Sequence, residues 1–245
     1  MIAPAENPVS VANTVLSAQE IQQLFDRIAP VYDDFNQQLS WGLHRVWKQM
    51  AVDWSGARPG QTCLDVCCGS GDLALRLARR VGPTGVVYGL DFAPAQLAIA
   101  QQKAIQQFRL APLQWIEGDA LSLPFDDQQF DAATMAYGLR NLTNLPQGLQ
   151  ELQRVLKPGA RAAILDFLQP QSDWLKRFQQ WYLETVVVPA AQQCGMTDEY
   201  AYISPSVERF PLGPEQVALA LQSGFAHAKH YPIAGGLMGM LVLTR

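Results

Sequence analysis

One stretch constrains this chain more than any other: Cys63-Leu64-Asp65-Val66-Cys67-Cys68-Gly69-Ser70-Gly71-Asp72. Its first half reads as a buried strand carrying a single carboxylate, and its second half as a glycine turn. A helix is predicted at once over 72–80, with Leu73, Leu77 and Val81 on one side. Strand, glycine turn and helix together make a nucleotide cradle. The glycines let the backbone approach a ligand closely, and the helix N-terminus offers free N–H groups. Gly69, Gly71 and Ala74 also satisfy the pattern G-x-G-x-x-G/A. Asp65 narrows the ligand, because it sits inside the strand, four residues before the first glycine. A carboxylate there repels a pyrophosphate and suits a ligand with an amino group and a sulfonium.

The rest of the chain repeats the strand–helix alternation. Strands are predicted at 86–91, 113–117, 130–136 and 160–167, with helices from Pro94 to about Phe108 and from Pro146 through Leu156. Lys157-Pro158-Gly159 reads as the stop of the second of these helices. Such alternation implies a doubly wound α/β sheet of parallel strands. Two last strands, 226–231 and 237–244 across Gly235-Gly236, bring the sheet to seven. The 245 residues, 49% hydrophobic, suit one domain over 1–245. It divides into a helical preface (1–60), a cofactor-binding core (61–168), a helical cap inserted after the fifth strand (169–212), and a terminal helix and strand pair (213–245). The preface carries a capping box, Ser17 with Glu20, and is expected to pack over the ligand cleft.

Several classes are excluded. A net charge of −4 supplies no basic field for nucleic acid. Of the four cysteines, Cys63, Cys67 and Cys68 crowd one strand, which argues against a disulfide framework and for a reducing compartment. The three histidines lack ligand spacing to the cysteines, so no metal is expected. No apolar run approaches the ~20 residues of a membrane span, and the N-terminus lacks a signal-peptide layout.

The stretch D-x-C-C-G-S-G-D resembles the first motif of S-adenosylmethionine-dependent methyltransferases. Asp65, Gly69, Ser70 and Gly71 are then cofactor-binding positions. Asp91 follows Gly71 by 20 residues and ends the second strand, where an acid takes two ribose hydroxyls; it can also cap the helix that opens at Pro94. Asp119 ends the third strand and can accept from an adenine amino group; the alternative is a loop carboxylate. Ala120 follows it, and Ala136, ending the fourth strand, closes the pocket. Ligands of open parallel sheets lie outside the carboxyl ends of the strands, so these positions converge. The segment Tyr137 to Asn144 leaves the fourth strand beside that site and carries two donors, Arg140 and Asn141; the alternative is a turn whose Asn caps a helix.

The resemblance then narrows. Tyr32-Asp33, Gly42-Leu43-His44-Arg45-Val46-Trp47-Lys48, Tyr137 to Thr143, Arg154 to Gly159, Ile164 to Phe167, and Ser206 to Pro211 resemble the ubiquinone/menaquinone C-methyltransferase family. The likeness covers about residues 20–240, and Y-G-L-R-N with G-L-H-R-x-W-K is specific to that family. Two departures stand out. The family often reads A-G-G-T-G-D at Cys67 to Asp72, and its usual ending A-L-H-R-G is replaced by Met238 to Leu243. Both resemble the phylloquinone-making branch of oxygenic phototrophs.

The resemblance implies a Rossmann-like class I fold, S-adenosylmethionine as cofactor, and C-methylation of a prenylated 1,4-naphthoquinol. Arg140 and Asn141 would hold the quinol oxygen. The proton would leave through His44, Asp166 or a water held by Tyr32. His44 is equally a packed helix histidine. The aromatic stretch from Trp174 to Tyr182 is either core or a groove for the isoprenoid tail. A cytoplasmic location is expected; contact with the quinone-holding membrane and a homodimer are left open.

Overall fold

The structure is a computed structural model and describes residues 17–29, 42–108, 110–187, 189, 192 and 203–245. Apolar residues on both faces of β1 (Thr62–Val66) put that strand at the centre of the sheet. It pairs in parallel with β2 (Val86–Asp91) on one side and β4 (Phe130–Ala136) on the other. Beyond them lie β3 (Leu113–Glu117) and β5 (Leu156–Phe167), also parallel. β7 (Met238–Thr244) runs antiparallel to β5, and β6 (His227–Ile233) antiparallel to β7. The order is β3-β2-β1-β4-β5-β7-β6, a seven-stranded sheet as the sequence implies. The winding reverses between β1 and β4, which opens a crevice at their carboxyl ends.

Helices cover both faces. Leu64, Val66 and Leu90 pack against Leu149 and Leu152 of α5 (Leu145–Val155) and Ala220 of α8 (Gly213–Gln222). On the other face Cys63, Val87 and Ala132 meet Leu77, Ala78 and Val81 of α3 (Asp72–Val81) and Val52 of α2 (Leu43–Trp54). Each large side chain buried this way contributes about 1.5–3 kcal/mol. The preface contains α1 (Ala18–Ile28), whose capping box is complete. The Ser17 amide donates to Glu20 Oε2 at 2.7 Å, and the Glu20 amide to Ser17 Oγ at 3.3 Å. The other α-helices among the described residues are α4 (Pro94–Ile105), α6 (Asp173–Tyr182) and α7 (Ile203–Arg209).

One feature differs from expectation, and one alternative left open is decided. β5 starts at Leu156, directly after α5, rather than at 160. Phe130 pairs with Leu156 but Ala132 with Arg161, so residues 157–159 bulge from the ladder. Pro158 has no amide to donate there and Gly159 has a φ of 76°. The aromatic stretch of α6 is not core: Trp174, Phe178 and Trp181 are 67%, 39% and 53% exposed.

Candidate active site

The carboxyl ends of four parallel strands and the face of α1 enclose a cavity of about 280 Å³. The turn after β1 contributes Cys67 and Gly69, and the end of β2 contributes Leu90 and Asp91, with Phe92 behind them. The turn after β3 gives Gly118, Asp119 and Ala120, and the turn after β4 gives Tyr137, Gly138 and Asn141 behind Ala136. The wall opposite the sheet is α1, through Ile21, Gln22 and Phe25. Of the residues singled out from sequence, the cavity therefore brings together Gly69, Asp91, Asp119, Ala120, Ala136 and Asn141.

Asp91 is 5% exposed and is fastened on both oxygens. Gly69 N–H donates to Oδ2 at 2.7 Å and Ala93 N–H to Oδ1 at 2.9 Å. The carboxylate thus ties the glycine turn to the start of α4 and still has lone pairs for hydroxyl donors. Burial pushes its pKa up to about 6, against backbone N–H groups of Ala93, Gly69 and Phe92 that favour the anion. Asp65 lies beneath the cavity, not in its lining. Thr134 Oγ1 donates to its Oδ1 at 2.7 Å, and Oδ2 is buried without a partner. Burial raises its pKa to about 7. Ser70 is also buried below the turn, where Lys103 Nζ donates to its Oγ at 3.0 Å. Gly71, with a φ of 84°, precedes α3; a Cβ there would come within 2.8 Å of Trp115 and 2.9 Å of Ala100. Asp119 accepts from the Leu121 amide at 2.8 Å through Oδ1, so its loop-capping role is real whatever else it binds.

The candidate catalytic residues separate. Asn141 lines the cavity; its Nδ2 donates to the Tyr137 carbonyl at 2.9 Å, and its buried Oδ1 has no partner. The amide is thereby oriented, with its Oδ1 left as an unsatisfied acceptor. Arg140 sits behind the wall. Its Nη1 bonds Asp166 Oδ1 at 2.7 Å and the Tyr137 carbonyl at 2.8 Å, and its guanidinium lies 5.1 Å from the Phe167 ring centre. The Arg140 amide donates to Asp166 Oδ2 at 3.1 Å, so that carboxylate anchors the whole turn. His44 is buried on α2 outside the lining, and burial first, then Lys48, lowers its pKa. Tyr32 lies outside the described residues. Among the described residues no group of His, Cys, Asp or Glu is arranged to hold a metal.

Two non-glycine residues adopt left-handed backbone on this wall: Cys67 at φ 54° and Tyr137 at φ 61°. Such strain is held only where surroundings over-determine it, and it clusters at functional sites. Gly138 makes room for it, since a Cβ there would lie 2.6 Å from Cys67 Cβ and 2.9 Å from its sulfur. Gly138→Ala is expected to destabilise the fold by about 1–3 kcal/mol, and Cys67→Gly in the same chain to restore the melting temperature. A single Gly138→Ala variant that melts with wild type would show that the wall can yield. The thiols themselves are poor nucleophiles, because burial raises Cys67 and Cys68 well above the usual range.

The model of the ubiE/COQ5 methyltransferase family matches residues 13–243. The chain belongs to that family. A 2-phytyl-1,4-naphtoquinone methyltransferase of Trichormus variabilis is 61% identical over 92% of this chain and 99% of its own length. The Synechocystis protein of the same name is 59% identical over 93% and 95%. A chloroplastic 2-phytyl-1,4-beta-naphthoquinone methyltransferase of Arabidopsis thaliana is 49% identical over 94% and 89%. Among solved structures, an S-adenosylmethionine-dependent methyltransferase of Aquifex aeolicus aligns with a TM-score of 0.61 at 21% identity, over 80% of this chain and 88% of that one. A Methanococcus maripaludis protein described as a putative one aligns at 0.61 and 17%, over 99% and 97%. These two share the class I fold.

For a ubiE/COQ5 family member the cavity is chemically apt. Two carboxylates, Asp91 and Asp119, face it, Asp65 lies just below, and unpartnered acceptors remain on Asn141 and Gln96. That donor-hungry, anionic lining fits a cationic nucleoside cofactor and disfavours a pyrophosphate. Sequence reasoning put the helical preface over the cleft, but it did not single out Gln96, Cys67 or Tyr137, nor the α1 residues that form the wall. Gln96 had a local signal, being one turn into the helix after Asp91. The α1 residues had none, since some 40 residues separate them from the glycine turn.

Proposed function

We propose that this methyltransferase transfers the methyl group of S-adenosylmethionine to a ring carbon of 2-phytyl-1,4-naphthoquinol, giving phylloquinol. The observation that carries the substrate is identity of 49–61%, over nearly the whole chain, to relatives bearing that activity in their names. The cofactor supplies an electrophilic methyl on sulfur. A quinone ring is also electrophilic, so the acceptor is the reduced quinol. Its hydroxyl ionises near pH 10, as phenols do. Asn141 Oδ1 accepts from that hydroxyl and turns the ring toward the cofactor. The carbon–sulfur bond of the cofactor breaks as the ring carbon bonds the methyl, S-adenosylhomocysteine leaves, and the proton released from the ring goes to water. Arg140 acts through the turn: paired with Asp166, it fixes Tyr137 and Asn141, so the chain mainly aligns ring carbon, methyl and sulfur. Gly69, Asp91, Asp119, Ala120 and Ala136 hold the cofactor, with Asp65, Ser70 and Gly71 supporting the turn. The test is methyl transfer from labelled S-adenosylmethionine to a panel of demethylated quinols, each offered reduced and oxidised. Turnover of the oxidised quinone without a reductant, or preference for a benzoquinol, would overturn the reading.

The tail implies a lipid surface. On α6, Leu175 packs beside Gly235 and Gln179 Nε2 donates to the Leu168 carbonyl at 3.3 Å, so that side faces the body. Trp174, Phe178, Trp181 and Tyr182 form a ladder along the neighbouring side, with ring centres about 6 Å apart, and Arg177 flanks it. Amphipathic rings with a cation beside them suit the headgroup region of a bilayer. Among the described residues no helix is long and apolar enough to cross one. The protein is expected to sediment with anionic phospholipid vesicles. Trp174→Ser with Trp181→Ser should release it and raise KM for long-tailed quinols more than for short-tailed ones. Equal effects on both substrates would remove α6 from tail handling.

A further inference from the structure

Gln96 is 1% exposed, sits in the first turn of α4 and lines the cavity. Its Nε2 donates to the Phe25 carbonyl of α1 at 3.2 Å. That carbonyl can only accept, so the amide cannot be turned round without losing the bond. Its Oε1 is thereby directed away from α1. It lies 3.7 Å from where a Gly69 side chain would begin, and it is buried with no partner. A buried amide satisfied on one face only is a group waiting for a donor.

The same place is where α1 is fastened. Gln22 Nε2 donates to the Phe92 carbonyl, and the Ala95 amide donates to Asp26 Oδ1 at 3.1 Å. Asp26 therefore caps α4 from another helix, as Ala93 at the N-cap has no side chain to do so. Phe25 and Phe92 lie with ring centres 6.5 Å apart. Every one of these contacts joins α1 to the segment 92–96, which directly follows Asp91, and α1 supplies one wall of the cavity.

From this geometry we propose that Gln96 is a further cofactor-binding residue and the clasp between cofactor and α1. Its Oε1 accepts from a donor on the nucleoside half of the cofactor while its Nε2 holds the wall helix in place. The inference rests on the proposed cofactor, S-adenosylmethionine. Its consequence is linkage: an occupied cavity completes the Gln96 amide and so holds α1 down, and a docked α1 strengthens cofactor binding by the same factor.

The test uses the full chain and S-adenosylhomocysteine, which binds without turning over. In wild type the ligand should slow amide hydrogen exchange along α1, residues 20–28. Gln96→Met, close in volume but with neither polar atom, should bind about tenfold more weakly, the equivalent of one lost hydrogen bond. It should also lose the ligand-induced protection of α1. Asp26 is not among the lining residues, and removing its charge relieves repulsion of Asp91, which favours the anion that binds. Asp26→Ala should nevertheless weaken binding several-fold by loosening α1, and it carries the test should Gln96→Met fail to fold. Full affinity in Gln96→Met, or α1 exchange indifferent to ligand in wild type, overturns the clasp alone. Failure of wild type to bind the ligand at all overturns the cofactor reading and the clasp with it.

Discussion

Replacing Asp91 by alanine is expected to weaken S-adenosylmethionine binding by about 10²–10⁴-fold. Two hydroxyl bonds to an ionised carboxylate are worth about 1.5–3 kcal/mol each, and each 1.4 kcal/mol is a factor of ten. The same carboxylate holds the Gly69 and Ala93 amides, so its loss also frees the glycine turn. Calorimetric titration measures the effect, and unchanged affinity would remove Asp91 from the site. A pH dependence accompanies it. Burial raises the folded pKa of Asp91 to about 6, above the 3.8 of a solvated aspartate. The ionised form, which binds, is therefore depleted as pH falls through 6. Affinity should drop about tenfold between about pH 7.5 and about pH 5, and Asp91→Asn should flatten that slope. The unliganded fold should respond in the opposite sense. A raised folded pKa gives stability that is present below about pH 4 and lost as pH rises through 6, and Asp65, raised to about 7, adds a contribution of the same sign.

The second large effect is expected at Arg140. Its ion pair with Asp166 is enclosed, with side chains 6% and 5% exposed. Removing one partner of a buried pair costs about 3–5 kcal/mol, because the other charge is left without its counter-ion. Arg140→Ala should therefore lower the melting temperature sharply. It should also lower kcat on the order of 10²-fold, since Asn141 is carried by the turn that Arg140 fixes and small misplacements of a reacting group have effects of that size. Arg140→Lys keeps the charge and a nitrogen able to donate to both the Tyr137 carbonyl and Asp166, as Nη1 does, but loses the planar guanidinium that lies over the Phe167 ring, so it should be intermediate. Pairing Arg140→Met with Asp166→Leu separates the two roles: an apolar pair can restore stability without restoring the turn. Recovery of kcat along with stability would mean that Arg140 contributes only to folding. Retained stability and cofactor affinity in Arg140→Ala with kcat lost would instead place its guanidinium on the substrate.

What the sequence determined by itself is whatever depends on local pattern. The strand–turn–helix from Cys63 to Asp72, the alternation that yields a parallel sheet, and the acids at the ends of β2 and β3 all follow from periodicity and turn chemistry over fewer than about a dozen residues. A doubly wound topology then brings strand ends to one crevice, so chain order alone groups Asp91, Asp119 and Ala136. Tertiary structure decided what depends on residues far apart in the chain. The orientation of the Asn141 amide was fixed by the Tyr137 carbonyl. Whether Arg140 faces ligand or protein was fixed by Asp166, 26 residues away. The aromatic ladder of α6 could be core or surface from its composition alone, because amphipathic spacing does not say whether a partner surface exists; the body contacts of Leu175 and Gln179 decided it. The sequence marked α1 by its capping box and put the preface over the cleft, but which of its residues form the cavity wall had no local signal. The wall arises from hydrogen bonds across some 70 residues, Gln22 to Phe92 and Gln96 to Phe25, and pairings at that separation are set by packing, not by local propensity.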